Sequence, residues 1–318
     1  MNLRLIKSSI VSVSIALASI LASALAMATK TSSGCAVIGV GVLGTSLCQQ
    51  ILSAPEFDGI KLTGITKTTT NHNAIREKVG MDSEDRFQLL TTDECEGTET
   101  KFKHIVFCAP PSGSEDYPAD VRKSADTLWA GPEEGGVFVF TSSGAVYGPG
   151  DSRTVSETSD IADPESSVRV GRLVKAEKAA LDAGGCVLRL AGLYNLDRGA
   201  HNFWLTSGKP ISGLPEGIIN LLHYEDAASA CLSALKAGSS VCEGRAFIIS
   251  DGHPLTRKQI CESALQAKTY KDCAMPTFAS ENLNGMALGK VYDGSSSNKA
   301  LEWSPRFESF DTFMNSMA

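Results

Sequence analysis

The chain has 318 residues, of which 42% are hydrophobic and 20% are charged. This composition is close to that of an average globular protein, which excludes a collagen-like, coiled-coil or wholly disordered chain. With 29 Lys and Arg against 36 Asp and Glu, the formal net charge is −7. Since phosphate contacts need clustered Lys and Arg, which this acidic chain lacks, we expect no nucleic-acid partner.

Residues 1–26 have the parts of a cleaved signal peptide. Arg4 and Lys7 give a positive start, an uncharged apolar run follows from Ile10 to Ala26, and A-x-A sites lie at its end. A membrane anchor is the alternative, but a spanning helix needs roughly 20 strongly apolar residues, and serines interrupt this shorter run. We therefore expect no stable membrane span in the mature chain.

Residues 27–33 and the cysteines indicate where in the cell the protein is located. The segment from Met27 to Ser33 is rich in Thr and Ser and has no acid, which resembles a transit peptide behind a signal peptide, as in algae with complex plastids. The odd count of nine cysteines, with Cys35, Cys108 and Cys186 in apolar runs, predicts buried free thiols. A reducing plastid stroma fits such thiols better than the secretory pathway, which stays the alternative.

Behind this leader, apolar runs of strand length alternate with segments of helical periodicity. Strands are predicted at Cys35–Val40, Ile60–Thr66, His104–Cys108, Val137–Ser142, Cys186–Leu190 and Ala246–Ser250. Helices are predicted at Leu43–Leu52, Asp120–Trp129, Leu173–Asp182 and Asp226–Lys236. Such alternation implies parallel strands joined by right-handed crossovers. The predicted fold class is therefore α/β, with a doubly wound parallel sheet.

The first strand runs into a G-x-G-x-x-G turn made by Gly39, Gly41 and Gly44. In dinucleotide-binding units the first glycine allows a tight turn, the second admits the pyrophosphate and the third lets the helix pack on the strand. Val42 and Leu43 lie where that helix begins, and its free N–H groups favour phosphate. A purely structural turn is the alternative, but the position behind the first strand favours a bound dinucleotide.

The second strand ends at Thr66 and Lys67 without the carboxylate that normally holds the adenosine ribose of NAD. Thr66 and Lys67 suit a 2′-phosphate, which favours NADP over NAD, although a solvated loop lysine explains Lys67 nearly as well. Ala109, Pro110 and Pro111 follow the strand His104–Cys108, at the edge where cofactors lie in such sheets. We predict cofactor contacts for all three, with a rigid turn as the alternative.

A stretch in the middle of the chain resembles a known family. Residues 141–148, T-S-S-G-A-V-Y-G, are similar to the S-S-x-x-V-Y-G motif of the NAD-dependent epimerase/dehydratases, the extended short-chain dehydrogenase/reductases. Further similar motifs follow in the family's order: Val155 to Pro164, Val187 to Tyr194, His223 to Ala228, Pro254 to Thr256 and Trp303 to Phe307.

The resemblance implies a Rossmann domain over residues 34–191 and a smaller C-terminal substrate lobe over 192–318. In this arrangement the strand at 246–250 returns to the main sheet. The resemblance also places Ser142 at the cofactor and makes Ser143 the hydroxyl that hydrogen-bonds the reacting oxygen.

The family's proton-transferring pair, Y-x-x-x-K, is missing from the expected helix. An alignment anchored on Lys175 puts Gly171 in the tyrosine position, and one anchored on Glu177 puts Arg169 and Leu173 at the two positions. Neither supplies a tyrosine. The chain therefore resembles the atypical branch of the family.

Four further residues are candidates for the site. Tyr147 is a candidate acid, with packing or substrate contact as the alternative, and Lys175 is a candidate for the nicotinamide ribose, with an exposed helix lysine as the alternative. Arg198 and His201 lie in a Gly-containing segment where the family builds substrate contacts. An arginine there suits a phosphate or carboxylate, which it binds through two hydrogen bonds.

These features predict an NAD(P)-dependent oxidoreductase or epimerase. Its expected substrate is small and polar, and is nucleotide-linked or phosphorylated. A homodimer is a candidate assembly. The alternative is a non-catalytic NAD(P)-binding sensor or scaffold. The missing tyrosine favours the sensor, whereas Ser143 and the segment with Arg198 favour the enzyme.

Overall fold

The computed structural model describes residues 31–80, 85–96, 101–278 and 288–318. The segment 1–26, on which the leader and the plastid location were predicted, lies outside the described residues. Within the described ranges, no helix is long and apolar enough to cross a membrane.

The strands and helices are numbered in chain order. The strands are β1 (Thr31–Ile38), β2 (Leu62–Thr66), β3 (Phe87–Thr91), β4 (Lys101–Phe107), β5 (Phe138–Ser143), β6 (Asp151–Val155), β7 (Cys186–Leu190), β8 (Gly192–Tyr194), β9 (Ile218–Ile219), β10 (Leu221–His223), β11 (Ala246–Ile249), β12 (Leu255–Thr256) and β13 (Gly289–Tyr292). The helices are α1 (Val42–Ser53), α2 (His72–Val79), α3 (Thr92–Glu96), α4 (Tyr117–Leu128), α5 (Val168–Asp182), α6 (Ala200–Thr206), α7 (Tyr224–Ala237), α8 (Ser239–Cys242), α9 (Arg257–Ala264), α10 (Ser295–Ala300) and α11 (Phe310–Ser316).

Seven parallel strands form the main sheet, in the order β11-β7-β5-β4-β1-β2-β3. The strand order reverses between β1 and β4. In open parallel sheets, ligands bind at such a reversal, outside the carboxyl ends of the strands. The predicted α/β class with a doubly wound parallel sheet is confirmed, and by this rule we expect a ligand crevice where β1 and β4 end.

Alternate residues of the strands belong to two apolar clusters on opposite faces of the sheet. In β1, Cys35 and Val37 belong to one cluster, whereas Ala36 and Ile38 belong to the other. Helices α1 and α7 cover the first face, and helices α4 and α5 cover the second. Burial on both faces explains why these strands have continuous apolar sequences.

A third apolar cluster lies in the C-terminal part of the chain. It joins β8, α6, α9 and α11 through Tyr194, Leu205, Ile260 and Phe310. Three small sheets lie outside the main sheet, formed by β8 with β10, β9 with β12 and β6 with β13. Strand β11 pairs in parallel with β7. The division of the chain after residue 191 stays a prediction.

No disulfide joins the nine cysteines, all of which lie in the described ranges, and seven of them are buried. Burial raises the pKa of Cys35 and of Cys108 to about 12. Since the thiolate is the reactive form, these two cysteines behave as small apolar core residues.

A buried carboxyl group follows β11. Asp251 is 4% exposed, and its Oδ1 accepts a hydrogen bond from the backbone N–H of His253 at 2.9 Å. Its Oδ2 has no partner among the described residues, and neither has the nearby buried hydroxyl of Tyr194. Burial raises the pKa of Asp251 to about 7.

This carboxyl makes stability depend on pH. Between about pH 4 and pH 7, folded Asp251 keeps a proton that the unfolded chain has released, so the contribution of Asp251 to the free energy of unfolding falls as pH rises through this window. We expect Asp251→Asn to remove that fall and to be more stable than the wild type at about pH 8. Denaturant unfolding across this pH range measures the free energy of unfolding of each variant. Asp126→Asn, which changes an exposed carboxyl group, is the control. An unchanged pH slope in Asp251→Asn would contradict the assignment.

Candidate active site

The glycine turn brings the ends of β1 and β4 into contact. Gly39 has a φ of +94°, and a Cβ there would overlap the backbone of Ala109. A Cβ at Gly44 would overlap the carbonyl oxygen of Gly39. That oxygen also accepts a hydrogen bond from the Cys108 thiol at 3.2 Å. Only glycine therefore fits at the first and third positions of the motif.

The second glycine differs, because nothing lies within 4 Å of a Cβ built on Gly41. Helix α1 begins at Val42, has no side-chain cap at Gly41 and has no acidic residue in its first turn. Leu43 is buried, and Val42 is partly exposed beside the turn. Open space beside an uncapped helix N-terminus fits a diphosphate, which the backbone N–H groups and the helix dipole favour.

The end of β2 contacts the loop after β4. Lys67 donates from Nζ to the carbonyl oxygen of Gly113 at 2.9 Å. Because β1 lies between β2 and β4, this contact crosses the mouth of the crevice. Thr66 shares a 2.7 Å hydrogen bond between Oγ1 and Nε2 of His72, a residue that the sequence analysis did not select.

The loop that starts with residues 109–111 is held by two helices. Tyr117 of α4 donates to the carbonyl oxygen of Ala109 at 2.8 Å. Arg172 of α5 donates to the carbonyl oxygens of Pro111 and Ser114, at 2.9 and 2.7 Å. The sequence analysis selected neither residue. Arg172 nevertheless lies between Gly171 and Leu173, two positions that the alignments assigned to the missing pair.

The end of β5 presents two serines in different surroundings. Ser142 is buried and donates to Oε1 of Glu177 at 2.6 Å. Ser143 is half-buried, and its Oγ accepts a weak hydrogen bond from the N–H of Ala145 at 3.3 Å. Successive strand residues point to opposite faces. The Ser142 hydroxyl is therefore bound to the buried Glu177, whereas the Ser143 hydroxyl can still bind a ligand at the carboxyl edge of the sheet.

Solved structures with the same architecture were found by comparison. A dTDP-glucose 4,6-dehydratase double mutant from Streptomyces venezuelae, with NAD bound, has a TM-score of 0.70 at 15% identity, over 89% of this chain and 95% of that chain. A UDP-glucose 4-epimerase from Thermotoga maritima has a TM-score of 0.64 at 16% identity, over 89% and 97%. A functionally unknown conserved protein from Silicibacter pomeroyi has a TM-score of 0.66 at 18% identity, over 90% and 98%.

The chain has the fold of these epimerase and dehydratase structures. This confirms the resemblance at the level of the fold. No family model and no curated protein matches the sequence.

Helix α5 has no room for a tyrosine at Gly171, the position to which the alignment on Lys175 assigns it. A side chain at Gly171 would overlap the carbonyl oxygen of Pro164. Leu173 is buried and Arg169 is exposed. Lys175 is 58% exposed and pairs with Glu165 at 3.1 Å. The structure thus places Lys175 in the surface position that the sequence analysis named as its alternative.

Tyr147 belongs to a buried polar network. It is 1% exposed, and its hydroxyl accepts a hydrogen bond from Arg189 at 2.9 Å. Arg189 in turn pairs with Glu177 at 2.9 Å. Burial raises the pKa of Tyr147 above its ordinary value, although Arg189 opposes the shift. These contacts argue against proton transfer by Tyr147 and favour its packing alternative.

Arg198 and His201 end up in different environments. Arg198 is exposed, and its Nε donates to the hydroxyl of Tyr224 at 3.2 Å, so it stays a candidate for an anionic group of a substrate. His201 is 1% exposed, with Nε2 3.1 Å from the carbonyl oxygen of Leu196 and its ring against Tyr270. The ring is enclosed in the lobe core, which favours a structural role, and the substrate contact of His201 stays a prediction.

The buried ion pair beneath the site can be tested through stability. Glu177→Gln removes the charge facing Arg189, whose side chain is 7% exposed, and we expect a loss of about 3–5 kcal/mol in the free energy of unfolding. Asp182→Asn on the same helix breaks only the exposed pair with Lys178 and should cost at most about 0.5 kcal/mol. Denaturant unfolding at neutral pH compares the two. Equal losses would show that Glu177 does not neutralise a buried Arg189.

Proposed function

We propose that this protein is an NAD(P)-dependent oxidoreductase or epimerase acting on a small polar substrate that is nucleotide-linked or phosphorylated. The observation that carries the proposal is the glycine turn, where Gly41 leaves open space beside the uncapped start of α1. The solved dTDP-glucose dehydratase from Streptomyces venezuelae, which has the same fold, has NAD bound.

For the coenzyme, we propose NADP over NAD. Thr66 and Lys67 occupy the end of β2, where a carboxylate would otherwise bind the adenosine ribose. Lys67 is exposed and is held at the crevice mouth by the carbonyl oxygen of Gly113, so its ammonium is available to a 2′-phosphate. The bound nicotinamide ring would supply or accept a hydride.

The chain's own residues would then bind and orient the substrate. Ser143 stands at the carboxyl end of β5, where its hydroxyl can hydrogen-bond the oxygen on the reacting carbon. The loop at residues 109–111 would form one wall of the cofactor crevice, since Tyr117 and Arg172 fix its carbonyl groups. Arg198 would bind an anionic group through its exposed guanidinium nitrogens.

A non-catalytic sensor or scaffold is the second candidate. The observation that favours it is the backbone of Pro164, which leaves no space for a tyrosine at Gly171. A sensor would bind coenzyme tightly and show no turnover with any nucleotide sugar.

A single carboxylate tests the cofactor site. Gly41→Asp should weaken binding of both NADPH and NADH about 100-fold or more, because its charge would oppose the diphosphate. Gly59→Asp adds the same carboxylate in an exposed turn before β2, at the other end of the strands, and should leave binding unchanged. Coenzyme fluorescence measures all affinities. Binding of Gly41→Asp at wild-type strength, or an absence of binding by the wild type, would overturn the proposal, and tighter NADH than NADPH binding would overturn the choice of NADP.

The role of Ser143 is tested separately. Ser143→Ala should retain coenzyme affinity and lower turnover by about 100-fold, because it loses one hydrogen bond to the reacting oxygen. The probes are dTDP-glucose and UDP-glucose, with reduced nicotinamide absorbance and sugar product analysis as the readouts. Undiminished turnover in Ser143→Ala would refute its role, and tight coenzyme binding without any wild-type turnover would favour the sensor.

A further inference from the structure

A tyrosine from the C-terminal part of the chain lies at the end of β5. A Cβ built on Gly144 would overlap the hydroxyl and ring of Tyr292, so this phenol stands against the residue that follows Ser143. Tyr292 also packs against both apolar clusters, which lie on opposite faces of the sheet. Its ring therefore lies at the carboxyl end of β5, beside Ser143 and against the ring of Tyr147.

Several hydrogen bonds fix the backbone of Tyr292. Its N–H donates to Oδ1 of the buried Asn220 at 2.9 Å, and Nδ2 of Asn220 donates to the carbonyl oxygen of Lys290 at 2.8 Å. Strand β13 pairs in parallel with β6, with Tyr292 opposite Val155. Lys290, two residues before Tyr292, donates from Nζ to the carbonyl oxygen of Gly148. Strand β13 is thus held by Asn220 and β6, and is tied to Gly148 at the end of the turn that follows Ser143.

The hydroxyl of Tyr292 differs from those of the other tyrosines. Four of them are hydrogen-bonded within the described ranges: Tyr117, Tyr147, Tyr224 and Tyr270. Tyr194 has an unpartnered hydroxyl, but that group is enclosed in the C-terminal lobe. Tyr292 is half-buried, and its hydroxyl has no hydrogen-bond partner among the described residues. A rigidly held, unpartnered phenol at a ligand crevice is suited to bind a ligand atom.

We propose that Tyr292 supplies the catalytic hydroxyl that helix α5 lacks, and that together with Ser143 it binds the oxygen on the reacting carbon of the substrate. This inference rests on the proposed function. It explains how a chain without a tyrosine on α5 still presents a phenol at the nicotinamide end of the crevice.

The direction that suits this phenol is reduction. The carbonyl carbon would gain a hydride from a bound reduced nicotinamide, the C=O π bond would break, and the carbonyl oxygen would take the proton of the Tyr292 hydroxyl. The substrate would be reduced to an alcohol as the coenzyme is oxidised, and the phenolate would recover a proton from water. Burial raises the pKa of Tyr292, so the phenol stays protonated and can donate a hydrogen bond to the carbonyl oxygen. The same shift makes it a weaker acid, so its proton would move only as the hydride turns that oxygen into a strongly basic alkoxide.

The position of Tyr292 can be tested without any turnover. In protein carrying carbon-13 in its tyrosine rings, Tyr292→Phe assigns the Tyr292 signal by its disappearance. We expect that signal to shift when NADP or NAD binds, and to shift much less with the matching ADP-ribose fragment, which lacks the nicotinamide ring. The Tyr270 signal, from the core of the C-terminal lobe, should respond to neither ligand.

The outcomes separate the two proposals. If coenzyme binds and the Tyr292 signal responds equally to NADP or NAD and to the fragment, or to neither, Tyr292 does not face the nicotinamide and this inference falls alone. If no coenzyme binds, both the proposed function and the inference about Tyr292 are wrong. Tyr292→Phe keeps the ring packing, so it should unfold like the wild type and bind coenzyme equally well. With a nucleotide sugar that the wild type turns over, it should lose about 100-fold in turnover, and undiminished turnover would overturn the inference.

Discussion

The close approach of Gly39 to Ala109 is the constraint on which the candidate site depends. Because a Cβ at Gly39 would overlap the backbone after β4, the chain can leave β1 only in the conformation with positive φ that glycine adopts. This exit directs α1 back over the sheet, where Gly44 lets the helix lie against the turn. The same contact fixes the start of the loop at residues 109–111. One steric requirement thus places both walls of the crevice.

The strands and helices that are predicted best from the sequence are those whose residues all lie in the same environment. Strands β5 and β7 are buried on both faces, so their apolar runs identify them directly. Strand β3 lies at the edge of the sheet and α2 is largely exposed, so neither has an apolar run, and the sequence analysis predicted neither. Helix α5 begins at Val168, before the predicted Leu173, because Ser167 caps it by accepting a hydrogen bond from the N–H of Val170.

The candidate site divides in the same way. Gly39, Gly41, Gly44 and Ser143 are recognisable because local geometry ties their residue types to adjacent positions in the chain. Tyr292 gives no such signal, since only the pairing of β6 with β13 brings it to β5. The burial of His201 likewise depends on packing that its sequence neighbours do not reveal. Its neighbours in sequence belong to a segment associated with substrate, but its ring is packed against Tyr270 and Phe310.

The pairing of β6 with β13 also has a consequence for how the protein is made. These strands are parallel and are separated by much of the second half of the chain, so their contact closes a very long loop. Contacts of high sequence separation are slow to form, because the entropy of loop closure must be overcome first. A nascent chain on the ribosome can assemble the β1–β5 framework as soon as those strands emerge. The part of the site that carries Tyr292 can form only after β13 has been synthesised, so the glycine turn takes shape before it.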